Sequence, residues 1–198
     1  MINISIHLKN DGQNNQLQEM FRLRNTVFKE RLGWDVQSKD GLEIDGFDDL
    51  NPVYMMATNS SKQLEASWRM LPTDGPYMLA NVFPFLLRGE EIPRSPGIWE
   101  ISRWAAVSCP SNRRAQAYAN ESTISLIKYA YDYAVEHNIS HYIVVTSVSM
   151  EKLVHRIGLP VRRFVDGKAT RIGNVLSVAC WVDINEQFHN VVYPRKAA

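Results

Sequence analysis

The sequence predicts an α/β fold: one α/β/α sandwich whose central sheet is mixed and mainly antiparallel, with helices on both faces. Three observations predict it. "PVYMMAT" (52–58) and "QLEASWRML" (63–71) read as strands either side of the short turn "NSSK", the arrangement of antiparallel neighbours. Beyond residue 110 strand-like and helix-like segments alternate, which calls for a sheet with helices packed on it. "NVLSVACWVDI" (174–184) is apolar on both faces and therefore belongs in the middle of a sheet. The 198 residues are enough for one substantial core, and the absence of repeats or low-complexity linkers makes residues 1–198 one domain.

Residues 2–8 alternate weakly and form a first strand. In "NNQLQEMFRLRNTVFKERLGW" the residues Leu17, Met20, Phe21, Val27, Phe28 and Leu32 follow the spacing of an amphipathic helix that Gly33 ends. Arg24 lies on that apolar stripe, four residues before Phe28, so it faces inward; Arg22, Lys29 and Arg31 fall on the polar side. Residues 33–51 have three glycines and little periodicity and read as a long ordered loop, a feature that compact domains keep mostly for function. In the 63–71 strand Leu64, Ala66, Trp68 and Met70 share one face, and Glu65, Ser67 and Arg69 the other. "PTDGP" is a turn, and "YMLANVFPFLL" a short helix or irregular apolar segment broken by Pro84. "GIWEISRWAAV" (97–107) is a strand. A long helix follows over 115–137, with Leu126, Ile127, Ala130, Ala134 and Val135 as its buried stripe. "HYIVVTSV" is a strand, and "SMEKLVHRIGLP" a short helix stopped by Gly158 and Pro160.

Charge excludes more than it identifies. Lys plus Arg (22) almost balance Asp plus Glu (21), so no nucleic-acid partner is indicated. The charges are nevertheless segregated: Asp40, Glu43, Asp45, Asp48 and Asp49 crowd into ten residues without a base, while Lys152, Arg156, Arg162, Arg163, Lys168 and Arg171 face one acid, Asp166. Such runs usually form solvated faces; they also suit a protein that holds a cation at one place and meets an acidic partner at another. Two cysteines, Cys109 and Cys180, show no metal-ligand spacing, and Cys180 sits in an apolar run as a core residue. No export signal and no membrane-length apolar segment is visible, so the expected setting is the cytoplasm, without a membrane partner. No metal site is expected.

The chemistry is carried by charged residues among apolar neighbours: Arg24, Glu100 and Arg103, with Arg69 as a fourth. Buried without partners they would be prohibitive, so they pair with each other, with the Asp45–Asp48 loop or with a ligand. A set of purely structural ion pairs is an equal reading of the same pattern. Glu100 and Arg103 are an odd number of residues apart and would point to opposite sides of a regular strand; either a bulge lies between them or they serve different faces.

At these residues the chain resembles the acyl-homoserine lactone synthases, the LuxI-type autoinducer synthases. "FRLRNTVFKERLGW", "EIDGFDD", "WRMLP" and "WEISRWA" match that family's successive motifs in order and spacing over about residues 20–105, more weakly through "TSVSMEKLVHRIG". The resemblance implies an N-acetyltransferase-like fold and an acyltransferase with two substrates and no cofactor. S-adenosylmethionine supplies its amine, and an acyl thioester, usually on acyl carrier protein, supplies the acyl group. The methionine carboxylate then closes on its own γ-carbon and displaces methylthioadenosine.

The resemblance carries site roles onto this chain. Glu100, Arg69 and Arg103 become catalytic candidates, with Glu100 as the base. Arg24, Phe28, Trp34, Asp45, Asp48, Phe83 and Arg103 become S-adenosylmethionine-binding candidates: the aromatic faces attract the sulfonium, the acids its charge, and Arg24, Arg69 or Arg103 its carboxylate. Trp104, Val144, Thr146, Met150 and Leu153 would wall an acyl channel. Makers of β-keto lactones tend to have Thr at the position of Val144, so an unsubstituted short or medium chain is expected; Trp104 replaces the more usual Phe and would shorten the channel. Lys152, Arg156, Arg162 and Arg163 would dock the acidic carrier. The rival readings are a coenzyme A-dependent N-acetyltransferase and a catalytically silent binder of S-adenosylmethionine or carrier. The former normally has a glycine-rich phosphate turn where this chain reads "SNRRAQAYAN".

Overall fold

The computed structural model describes residues 1–9, 15–107, 121–165 and 167–194. Cys109, Asp166, the stretch 111–120 and the first residues of the expected 115–137 helix lie outside them.

Strands β1 (Asn3–Leu8), β4 (Val53–Thr58), β5 (Leu64–Pro72), β6 (Ile98–Ala106), β7 (His141–Ser147), β10 (Val175–Asp183) and β8 (Val161–Arg163) lie side by side in that order, and β9 (Thr170–Ile172) pairs with the start of β10. A separate small hairpin joins β2 (Ser38–Lys39) to β3 (Leu42–Glu43). Every pairing is antiparallel except β6 with β7. The expected mixed, mainly antiparallel sheet is therefore what forms, and β10 is paired along both edges, as its two apolar faces require.

One face carries α3 (Glu121–Glu136) and α5 (Glu186–Val192), packed on Met55, Ala66, Trp68, Met70 and Tyr142. Tyr133, not Val135, completes the α3 stripe: Val135 is 57% exposed, one position off the apolar face. The opposite face takes α1 (Asn15–Arg24), whose Leu17, Met20 and Phe21 meet Tyr54 and Met56, and α2 (Met78–Asn81) with a 3₁₀ turn at Pro84–Leu87. From Asn25 to Arg31 the first helix continues as a π-helix, and Gly33, at φ +62°, ends it. The long loop expected over 33–51 contains the β2–β3 hairpin and a 3₁₀ turn at Gly46–Asp49. Asp45 caps that turn, accepting from the Phe47 N–H while Asp48 accepts from the Asp45 N–H.

Two bulges set the site. In β5 the register with β4 slips between Ala57 and Thr58, so Leu64 leaves the Trp68 face and packs beside α1, correcting the face assigned from alternation. In β6 two residues, Arg103 and Trp104, stand opposite the single Trp68 of β5, and Arg103 sits in the left-handed region at φ +54°. This bulge removes the parity objection to Glu100 and Arg103 serving one site. Beyond Ile101 and Val144 the ladder between β6 and β7 stops, and the sheet opens between them.

Candidate active site

On the α1 side of that opening lies a network of three arginines and three carboxylates. Arg24, 1% exposed, donates through Nε to Glu43 Oε2 (2.5 Å) and through both terminal nitrogens to Asp48 (2.9 and 3.0 Å). Arg69, fully buried, reaches Asp45 Oδ1 (2.5 Å), Asp48 Oδ1 (2.8 Å) and the Ser102 hydroxyl (3.3 Å). Arg103 pairs with Glu43 Oε1 (3.0 Å) and Asp45 Oδ2 (2.7 Å). The Tyr54 hydroxyl adds a further donor to Asp48. Equal numbers of opposite charges, each with several charge-assisted hydrogen bonds, are what makes this burial tolerable. Burial pushes the Asp48 carboxyl up, but Arg24, Arg69 and the Asp45 N–H outweigh it and hold it below the usual carboxylate range. Burial likewise opposes the charge on Arg24, and Asp48 and Glu43 more than restore it.

Glu100 stands apart from this network. Among the described residues it forms no ion pair with Arg103; its two oxygens accept from the N–H groups of Met78 (2.9 Å) and Leu79 (2.7 Å) at the start of α2. Burial raises its pKa, against the lowering effect of those hydrogen bonds and of Arg69 and Arg103.

A cavity of about 680 Å³ opens in front of these groups. Phe28, Trp34, Phe83, Glu100 and Arg103 border it on one side, Lys152, Leu153 and Arg156 on the other. Phe28 and Trp34 stack at 5.4 Å, and the Arg103 guanidinium lies 5.4 Å from the Phe28 ring. The π-helical turn places Phe28 here, and the β9–β10 turn supports Trp34: a Cβ on Gly173 would come within 3.3 Å of the indole. A second, apolar chamber of about 120 Å³ lies in the split between β6 and β7, bordered by Trp68, Ile101, Trp104, Val144, Thr146 and Met150. Trp104, Thr146 and Met150 border both spaces, so the two meet there.

The structure redistributes the residues expected from sequence. Arg24, Asp45, Asp48 and Arg69 do not border the cavity; their polar atoms are taken up by one another, so they form its backing and not its lining. Leu153 borders the larger cavity and not the apolar chamber. The four basic docking candidates divide: Lys152 and Arg156 are exposed on the cavity rim, Arg162 lies over Trp181 and 3.5 Å from Asp183, and Arg163, its side chain 32% exposed, is paired with Glu151. All three guanidinium nitrogens of Arg163 have partners, two on the Glu151 carboxylate and one on the Gly167 carbonyl. Glu43 is the site residue that the sequence reading passed over; it is fully buried and joins Arg24 to Arg103, and its place in the acidic run was the only signal for it. Cys180 is a buried free thiol, as expected of a core residue.

A mixed sheet split beside a bulge, with an acid and an arginine at the split, places the chain in the class of N-acetyltransferase-like folds. Two solved structures share that architecture at identities that show the fold alone: a Lactobacillus plantarum structure assigned to the N-acetyltransferases (12% identity, TM-score 0.59) and FeeM, an N-acyl amino acid synthase from uncultured soil microbes (13%, 0.60). Closer comparisons narrow the class. The autoinducer synthase family profile matches residues 9–191. The acyl-homoserine-lactone synthase of Pseudomonas aeruginosa is 40% identical over 89% of this chain and 87% of its own, and that of Aliivibrio fischeri 39% identical over 86% and 87%. The crystal structure of the AHL synthase LasI superposes with a TM-score of 0.87 at 37% identity, covering 100% of this chain and 98% of that one. TofI in a ternary complex with an inhibitor and MTA gives 0.81 at 32% identity, over 96% of both chains. The CoA-dependent synthase BjaI, with SAM and isopentyl-CoA, gives 0.79 at 26%, over 96% of this chain and 88% of that one. The chain belongs to the autoinducer synthase family.

Proposed function

We propose that this protein is an acyl-homoserine-lactone synthase, an acyltransferase that joins an acyl group to the amine of S-adenosylmethionine and releases a homoserine lactone and methylthioadenosine. The observation that carries this reading is the meeting of two unlike spaces at Trp104: a cavity walled by aromatics, Glu100 and Arg103, and an apolar chamber inside the split sheet. A charged amino-acid substrate fits the first and an acyl chain the second.

Phe28 and Trp34 offer aromatic faces to the sulfonium and adenosine. Of Arg24, Arg69 and Arg103, only Arg103 borders the cavity, and its Nη1 faces the Met78 sulfur (3.1 Å) instead of a carboxylate. Arg103 is therefore the arginine that holds the substrate carboxylate. Glu100, raised in pKa by burial, takes the ammonium proton directly or through water. The freed amine attacks the thioester carbonyl, the tetrahedral adduct collapses, and the thiol leaves. The substrate carboxylate then attacks the γ-carbon; the C–S bond breaks and its electrons return to sulfur, which leaves as a neutral thioether. Ring closure needs little beyond placement.

The basic rim of Lys152 and Arg156 supports an acidic acyl carrier protein as donor. The small chamber and the aliphatic Val144 support an unsubstituted short or medium chain. Expression in a bacterium that makes no such signals, with mass spectrometry of the medium, tests the reading. A homoserine lactone that disappears with Glu100→Ala is expected; no lactone from folded protein with varied donors would overturn it.

A further inference from the structure

Helix α4 (Val148–Arg156) is held to the sheet in an unusual way. Its one buried residue is an acid, Glu151, at 4% exposure. Its apolar side chains Val148, Met150, Leu153 and Val154 are only half-buried, and each borders at least one of the two cavities. A surface helix is ordinarily fixed by its apolar stripe; here Val148 and Val154 pack against the main core, Met150 and Leu153 face open space, and an ion pair adds to the grip. Glu151 receives Arg163 of β8 through both oxygens, with Nε at 2.5 Å and Nη2 at 2.6 Å. The third guanidinium nitrogen donates to the Gly167 carbonyl. The turn after β8 wraps the arginine stem so closely that a Cβ on Gly167 would lie 2.9 Å from Arg163 Cδ. His155 Nε2 lies 3.9 Å from the same carboxylate, one helical turn on. One planar fork thus ties the helix, the edge strand and its following turn together.

We propose that Glu151 and Arg163 are a positioning pair that sets the depth of the acyl chamber, and so selects chain length, and that Arg163 acts inside the protein and not on the carrier; this rests on the synthase reading above. Met150 and Val154 are the chamber walls that move with α4, whereas Trp68, Ile101 and Val144 are fixed in the sheet. In a chamber of about 120 Å³, a small displacement of one wall decides how many methylenes enter. The same helix presents Lys152 and Arg156 at the rim, so the element that meets the donor also measures its chain.

The test is a competition assay. Wild type and variants receive S-adenosylmethionine and an equimolar mixture of butanoyl-, hexanoyl-, octanoyl- and decanoyl-acyl carrier protein, and the lactones are quantified by mass spectrometry. Arg163→Met and Glu151→Gln are expected to change the octanoyl-to-butanoyl product ratio in the same direction by about tenfold or more, since a methylene in an apolar pocket is worth that much discrimination. The KM for S-adenosylmethionine stays unchanged, and Arg163→Lys gives a smaller change of the same sign. An unaltered ratio with KM raised equally for every carrier-borne donor would make Arg163 a docking residue and overturn the proposal. An unaltered ratio with only a lower Tm would also overturn it. If the single variants do not fold, Glu151→Met/Arg163→Met removes both charges at once and leaves no unpaired charge at the buried Glu151 position, and the same comparison decides. Lactone absent from wild type with all four donors would overturn the synthase reading itself.

Discussion

Asp48→Asn is the sharpest test of the buried network. The Asp48 carboxylate is fully buried and accepts from Arg24 Nη1 and Nη2, Arg69 Nη1, the Tyr54 hydroxyl and the Asp45 N–H. Asparagine keeps the shape but removes the charge and turns one oxygen into a donor that faces guanidinium or peptide N–H groups. Three arginines would then face two carboxylates. Removing one partner of a buried ion pair costs about 3–5 kcal/mol. For a domain of this size each kcal/mol moves Tm by about 2–4 °C, so a fall of roughly 6–20 °C is expected by calorimetry or circular dichroism. Asp45→Asn, at a side chain 12% exposed and so partly solvated, should fall less. Equal, small changes of a degree or two in both variants would refute the argument, because they would mean that water and not carboxylate compensates the arginines. The pH dependence has a definite sign. The folded pKa of Asp48 lies below its unfolded value, so its stabilisation is full above the usual carboxylate range and is lost as pH falls through the folded pKa. Wild type should accordingly lose more stability on acidification than Asp48→Asn.

Four further outcomes follow from the site. Glu100 has a folded pKa above its ordinary value, so kcat/KM should climb with pH along a limb displaced above the normal glutamate range, and Glu100→Gln should abolish both activity and limb. The same shift means that the ionised Glu100 opposes folding: stability should decline as pH rises from the usual carboxylate range through the folded pKa, and Glu100→Gln should flatten that decline. Trp104→Phe shortens the side chain where the two spaces meet and should move products towards longer chains, by about tenfold in the ratio of neighbouring lengths; an unchanged distribution would remove Trp104 from the chamber wall. Lys152→Glu with Arg156→Glu should raise KM for a carrier-borne donor by about tenfold or more, each tenfold being about 1.4 kcal/mol, with a salt-sensitive effect and an unchanged KM for S-adenosylmethionine. Equal loss with a free thioester donor would contradict docking at the rim.

Local periodicity determined a good deal. The stripe through Leu17, Met20 and Phe21 put Arg24 on the buried face of α1, and Gly33 ends the helical segment where expected. The antiparallel β4–β5 pair, the short α4 and the doubly apolar β10 were equally readable, because each follows from neighbours within a few residues. Four motifs in order also made the family legible from residues alone. Tertiary structure decided what spacing could not. Strict alternation put Leu64 on the wrong face and left Glu100 and Arg103 opposed, since a one-residue bulge resets parity and is dictated by the partner strand. Glu43 meets Arg103 across 60 positions of chain, a pairing that no local pattern encodes. Arg163 looked like its exposed neighbour Arg162, and only the fold showed that it pairs with the buried Glu151. The cavities have the same origin: β6 and β7 stop pairing beyond Ile101 and Val144, so the space in which chemistry occurs is a gap between strands, and a sequence specifies strands locally but the gaps between them only through the packing of the whole.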